Sequence, residues 1–386
     1  MRSVYLDYNG SAPLDPRVAE FMVPILIEGI GNASSIHRFG RRQSVVVDEA
    51  REHVGALVGG RASNVVFTSG ATEANNLALR GVAEGAPAGR PRILISAVEH
   101  ASVRQTALWL EDSGMTKLGV IPVTQGGYVD LDALESMLGT DVLLMSVVAA
   151  NSETGILNPM EEIAQQARSV GALLHCDATQ WVGRLPFDLE RIGADLVSVS
   201  SHKLYGPTGV GALVGRRGSL RQLQPIIHGG GHEHGLRSGS LNVAGIAGFG
   251  AAARIVRDER ASESMRVAKE RDRLASALKS RLTAVHEVGD VARRLPNTAN
   301  FRFRGADGEA VVSNMDPVAV STGSACDSGS IEPSRTLLAM GVPRELAFES
   351  VRFSLGRFTT TEDIDLAVDS TVAAVEHVRS MAKRSA

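Results

Sequence analysis

Lys203 stands in Ser201-His202-Lys203-Leu204-Tyr205-Gly206-Pro207, directly after the apolar run Ala194–Ser200. That run reads as a buried strand. The lysine therefore sits at a strand end, walled in by a Gly/Pro turn. Burial lowers a lysine's pKa and frees its lone pair, which suits an imine with a carbonyl cofactor. A strand-end lysine that simply reaches water is the competing reading. Cys326 is the second reactive candidate, in Ser321-Thr322-Gly323-Ser324-Ala325-Cys326-Asp327-Ser328-Gly329-Ser330. Nothing in that segment can build a core, so it is expected to form an exposed, mobile loop. Cysteine is usually buried as a small hydrophobe. Its placement among Gly and Ser argues for thiol chemistry. Cys176, inside an apolar strand, is predicted to be inert.

Other polar groups fall at corresponding places. Thr68-Ser69-Gly70-Ala71-Thr72-Glu73 reads as strand, tight turn and helix start. Backbone N–H groups and a hydroxyl there suit a phosphate, and they equally suit an ordinary N-cap. Asp177 closes a strand and needs a cationic partner if buried. A protonated pyridine nitrogen would serve, and so would a structural salt bridge. Gln180 can donate to a phenolate oxygen on such a ring. His100, after Glu99, can stack on a flat ring and move protons near neutral pH, or be held in a loop by hydrogen bonds. Gly229–Ser240 is glycine-rich, with His232 and His234 inside it. It lacks the helical spacing and thiolates of a metal site, so no metal is expected. Arg352, in a strand within Ser350–Arg357, can clamp a carboxylate bidentately or form an interdomain salt bridge.

The elements that must carry these groups alternate. Val65–Thr68, Arg92–Ser96, Val142–Val148, Leu173–Asp177, Leu196–Ser200 and Gly211–Val214 read as strands. Most are apolar on both faces, as in a parallel sheet covered by helices. Ser44–Val58, Ala71–Val82 and Met160–Val170 read as helices between them. This is an open α/β sheet, whose ligands bind at the carboxyl ends of the strands. Past residue 250 the texture changes. Arg254–Val285 reads as a long amphipathic helix with Leu274, Leu278 and Leu282 aligned. A smaller α+β region follows, ending in a helix from about Thr360 with Ile364, Val368, Val372 and Val375 on one face. The expected division is 15–252 for a large domain, with 1–14 and 253–386 forming a small one.

Composition narrows the function. The chain has 386 residues, long enough for about two domains. Lys+Arg number 40 and Asp+Glu 43, a net charge of -3 that offers no field for nucleic acid or anionic membrane. Aromatic residues are only 4%, too few for base-stacking platforms. The N-terminus meets Asp7 before any apolar core, unlike a signal peptide. The longest apolar run, Val142–Ala150, is too short to span a bilayer. Two cysteines in such a chain are no disulfide framework and fit a reducing cytoplasm.

Taken in order, these motifs resemble the cysteine desulfurases, pyridoxal-phosphate enzymes of the class V aminotransferase, fold-type I group. The likeness runs through Tyr5–Tyr8, Gly31–His37, Ser69–Asn76, Glu99-His100, Asn151–Gly155, His175–Gln180, Ser201–Gly206, Gly229–Ser240, Ser321–Cys326 and Arg352–Arg357. It implies an α/β fold with a mostly parallel seven-stranded sheet plus a smaller α+β domain. It implies that Lys203 holds pyridoxal 5'-phosphate as an imine and moves the substrate's Cα proton. Asp177 would pair with the pyridine nitrogen, Gln180 with the phenolate oxygen, and His100 would stack on the ring. Ala71, Thr72, Ser200 and His202 would hold the phosphate. Ser240 would reach the phosphate of a partner subunit in a homodimer. Asn151 and Arg352 would bind the substrate L-cysteine, and Cys326 would take its sulfur as a persulfide. A sulfur-acceptor protein would then unload it, for iron–sulfur clusters, thiolation or a specialised pathway.

The chain departs from the family's pattern in places. Gly10-Ser11-Ala12-Pro13 stands where Ala-Thr-Thr-Pro is usual, on the substrate pocket. Ser240 replaces a threonine, His234 an arginine and Cys176 a valine. Asp327 follows the reactive cysteine where Ser or Thr is common, and its charge disfavours the thiolate. The competing readings are a selenocysteine lyase, β-lyase or aminotransferase of the same fold, and a scaffold without catalysis. Intact Lys203, Asp177 and His100 argue against the last.

Overall fold

The computed structural model describes residues 3–322 and 332–385. Seven strands form the main sheet: β2 (Val65–Thr68), β3 (Arg92–Ser96), β4 (Lys117–Ile121), β5 (Val142–Val148), β6 (Leu173–Asp177), β7 (Leu196–Ser200) and β8 (Gly211–Gly215). Their spatial order is β2-β8-β7-β6-β5-β3-β4. β4, β3, β5, β6 and β7 pair in parallel, while β8 runs antiparallel to both β7 and β2. All seven residues of β5, Val-Leu-Leu-Met-Ser-Val-Val, are buried, as a strand covered on both faces requires. β4 was not expected. Its pattern is half exposed because it is the edge of the sheet, so it lacks the apolar run of the inner strands.

Four further strands and their helices complete the chain with β1 (Val4–Tyr5). They are β9 (Val285–Glu287), β10 (Thr298–Phe303), β11 (Val318–Ala319) and β12 (Ser350–Ser354). β10 lies between β9 and β12, both antiparallel to it. β1 pairs in parallel with β11, so the N-terminus is built into the C-terminal region. Phe301, Phe303 and Phe353 centre a core there with Val4, Leu6, Leu274, Leu278, Ile364 and Val375. Each buried phenylalanine contributes about 1.5–3 kcal/mol.

The long helix differs from its expected range. It spans Val243–Arg281, and Val285 belongs to β9 instead. Its first half, rich in Ala and Gly, is apolar on all sides, which hides the helical period. Ile246, Phe249 and Val256 pack in the sheet's core, and Val267, Leu274 and Leu278 in the C-terminal one. One helix of 39 residues, about 58 Å long, therefore joins the two cores. The composition change near residue 252 falls inside it. Of the other expected helices, Ala71–Glu84, Met160–Ser169 and Thr361–Ser385 lie close to their expected places, while Arg38–Leu57 starts six residues before the expected Ser44. Pro16–Glu28 and Ala101–Asp112 were not expected. The helix Thr361–Ser385 buries Ile364, Val368, Val372 and Val375, the face read from the sequence.

Candidate active site

The carboxyl ends of five strands converge on one cavity of about 550 Å³. β2 delivers Ser69–Thr72, β3 delivers Glu99 and His100, β5 Asn151, β6 Asp177 and Gln180, and β7 Ser200, His202 and Lys203. Asp7, Asn9 and Gly10 enter from the N-terminus, and Ser321, Thr336 and Arg352 from the C-terminal region. The turn after β2 presses against the start of β8. A Cβ on Gly211 would lie 2.7 Å from the Gly70 backbone, so this approach needs glycine. Ser240 is exposed and is not among the described residues that line the cavity.

Lys203 Nζ donates to the carbonyl oxygens of Asn9 and Gly10, each at 2.5 Å. Gln180 Nε2 also donates to the Asn9 carbonyl, at 3.0 Å. Asp177 is held by two donors: Asn75 Nδ2 to Oδ2 at 2.8 Å and the Thr179 N–H to Oδ1 at 3.1 Å. His100 caps the helix Ala101–Asp112, its Nδ1 accepting from the Ser102 N–H at 3.1 Å. In a neutral ring the proton then lies on Nε2. His202 Nδ1 meets Ser11 Oγ at 3.1 Å. Burial pushes His202 down to about 4, and Lys203 and Arg184 add to the shift. Gln180 Oε1, Thr179 Oγ1 and Ser201 Oγ are buried without hydrogen-bond partners.

Two expected substrate ligands are already engaged. Asn151 Oδ1 accepts from the N–H groups of Glu153 and Thr154, both at 2.9 Å. Its Nδ2 donates to Val98 O at 3.2 Å and Thr336 Oγ1 at 3.3 Å. Arg352 donates from Nη2 to Asp7 Oδ1 at 2.5 Å and from Nη1 to Ser152 O at 3.0 Å. Both partners of this ion pair belong to the region expected to form the small domain, so it is not the interdomain salt bridge the sequence suggested, and both line the same cavity. Cys326 and Asp327 lie outside the described residues. Cys176 is buried on β6, and burial, with Asp177 and Glu99 nearby, pushes its thiol up.

Several contributors carried no readable signal. Glu99 is half-buried in the cavity wall; Oε1 accepts from Ser96 Oγ at 2.5 Å and the Val148 N–H at 2.6 Å, while Oε2 is buried with no hydrogen-bond partner. Burial first, then the charge of Asp177, push its carboxyl up to about 8. The sequence offered Glu99 only as the neighbour of His100. Asn9, Asn75 and Asp7 are found through contacts across the fold. In the glycine-rich loop Glu233 is buried and pairs with Arg51 at 2.6 Å, which makes it a strut between that loop and the helix Arg38–Leu57.

A strand-end lysine, an anchored carboxylate and a histidine thus meet at the carboxyl edge of the sheet, where enzymes with an open α/β sheet bind their ligands. The chain belongs to the aminotransferase class-V family, whose model matches residues 4–367. It is 46% identical to a cysteine desulfurase of Frankia sp. (strain EuIK1), over 98% of this chain and 93% of the relative. Among solved structures, a NifS-like protein superposes with a TM-score of 0.91 at 33% identity, covering 97% of this chain and 100% of that one. SspA in complex with cysteine superposes at 0.82 with 28% identity, covering 93% and 100%.

Proposed function

We propose that this chain is a pyridoxal-phosphate-dependent cysteine desulfurase that converts L-cysteine to L-alanine and passes the sulfur through Cys326. The observation that carries this reading is the convergence of Lys203, Asp177, His100 and Gln180 on one cavity. The donor set suits the cofactor. Open space lies before Gly70, at the N-terminus of the helix Ala71–Glu84, where N–H groups favour a phosphate. Thr72, Ala71, Ser200 and His202 border that space. Asp177, already oriented by Asn75, suits a pyridinium, and Gln180 brings a free polar atom for a ring oxygen. When bound, pyridoxal phosphate supplies an electron sink for the substrate's Cα.

The chain's own residues do the rest. Lys203 holds the cofactor and carries the proton to and from Cα. His100, held at Nδ1 by Ser102, covers one side of the ring. Asn151 and Arg352 place the amino acid, which requires the Arg352–Asp7 pair to open or share. Cys326, as thiolate, attacks the substrate sulfur. The sulfur–carbon bond breaks with its electron pair left on carbon, and a sulfur–sulfur bond forms. A proton on that carbon completes alanine, and Cys326 is left as a persulfide for an acceptor protein.

The working unit in this reading is a homodimer. Leu26, Ile27 and Ile36 are 66%, 76% and 89% exposed, apolar surface that a partner subunit would cover. Ser240, exposed in its loop, is then free to reach the partner's phosphate. No described helix is long and apolar enough to cross a membrane. The test is incubation of the cofactor-loaded protein with L-cysteine and a reductant, beside Cys326→Ala. Alanine from the wild type and none from the variant is the expected result. No alanine from either would move the substrate elsewhere.

A further inference from the structure

Gly10 occupies the position where the resembled pattern carries alanine. A Cβ built there would lie 2.4 Å from Asp7 Oδ2 and 3.0 Å from Asp7 Cγ. Atoms do not tolerate that approach. The yielding group would be the free end of the Asp7 side chain. With glycine in place, Asp7 Oδ1 stays 2.5 Å from Arg352 Nη2, and the Arg352 side chain is only 7% exposed. Arg352 Nε is buried without a partner. Gly10, Asp7 and Arg352 all line the same cavity.

We propose that Gly10 and Asp7 together set the grip of Arg352 on the substrate's α-carboxylate. The missing Cβ lets Asp7 occupy the guanidinium fork, so an incoming carboxylate meets a neutral pair rather than a bare cation. Bidentate recognition needs two donors facing one acceptor group, and here Nη1 already donates to the Ser152 carbonyl and Nη2 to Asp7. An alanine at position 10 would turn the Asp7 carboxylate aside and free Nη2. Gly10 is thus a specificity-determining position acting through Asp7. The inference rests on the reading of Arg352 as the carboxylate ligand.

Gly10→Ala and Asp7→Asn free the arginine by different routes. Each should lower KM for L-cysteine, and the dissociation constant of L-alanine read from the bound cofactor's absorption, by about threefold or more. The change should fall on KM more than on kcat. The double variant should gain nothing beyond either single one, because both release the same contact. In the apoprotein, the Arg352 Nε–H resonance, identified by its loss in Arg352→Lys, should move in both variants. A Gly10→Ala protein with unchanged KM, alanine affinity and resonance would overturn the proposal, as would gains that add in the double variant. Arg352→Lys with unaltered KM would instead overturn the assignment of Arg352 itself, while the resonance still decides whether Gly10 controls Asp7.

Discussion

Arg237 Nε donates to Glu73 Oε1 at 2.9 Å, joining the glycine-rich loop to the first turn of the helix Ala71–Glu84. Glu73 Oε2 accepts in turn from the Ser69 N–H at 2.8 Å, so one carboxylate ties together the whole turn after β2. Burial disfavours this charge, but Arg237 and Ser69 outweigh it and hold the carboxyl below its ordinary value. An unpaired carboxylate in that turn would repel a phosphate. Arg237→Ala should therefore weaken pyridoxal phosphate binding about tenfold, roughly 1.4 kcal/mol, and pyridoxal binding much less. Arg237→Lys should restore part of the loss. Equal losses for both ligands would mean that the pair shapes the ring site and not the phosphate site.

Glu99 predicts a pH dependence with a definite sign. Its carboxyl titrates near about 8 when folded, against 4.5 for an ordinary glutamate. Between those values the folded chain holds a proton that the unfolded chain has lost. This stabilisation is complete below the lower value and fades as pH rises through the upper one. His202, pushed down to about 4, contributes the opposite slope at lower pH. Subtracting a Glu99→Gln variant isolates the glutamate. The apoprotein's unfolding free energy should fall between about pH 5 and pH 8 more steeply in the wild type, by an amount on the order of a few kcal/mol, as read by denaturant unfolding. Parallel curves would mean that Glu99 is ionised throughout.

The groups that were legible in the sequence stand directly after strands. Lys203, Asp177, Gln180 and His100 each follow an apolar run, and an open α/β sheet brings such ends together whatever the loops do. Groups that act through distant contacts were not legible. Asn75 reaches Asp177 across 102 positions, and Arg237 reaches Glu73 across 164. No local pattern encodes either meeting. Glu99 was hidden differently, because its burial depends on the Ser96 and Val148 donors closing over it. The start of the long helix was lost to composition: Val243–Ala253 is apolar all round, and a uniform surface has no period to read.

Thiol labelling offers a clean reading of Cys326, because the chain has only two cysteines and Cys176 is fully buried with its thiol pushed up. Native alkylation should report Cys326 alone and vanish in Cys326→Ala. Asp327→Ser removes the neighbouring charge that disfavours the thiolate, so it should speed labelling at neutral pH. An unchanged rate would mean that another group already offsets Asp327.

Tyr205, two residues past Lys203, has φ 62°, a left-handed conformation that a bulky residue adopts only under constraint. The strain is roughly 1–3 kcal/mol, and four contacts offset it. The Asp15 N–H donates to its carbonyl at 2.9 Å. Its hydroxyl donates to Glu263 Oε1 at 2.6 Å and accepts from the Arg357 N–H at 2.8 Å. The Arg357 guanidinium lies 4.3 Å over the ring and also pairs with Asp15 and Glu263. Burial, then Glu263, pushes the phenol far up, so it remains a donor at every working pH. Tyr205→Phe keeps the ring but leaves the Arg357 N–H unsatisfied. Denaturant unfolding should show a loss of about 1–3 kcal/mol. The lysine turn should loosen with it, so pyridoxal phosphate should dissociate faster. A variant as stable as the wild type, with unchanged cofactor release, would show that the ring and its cation contact suffice to hold the turn.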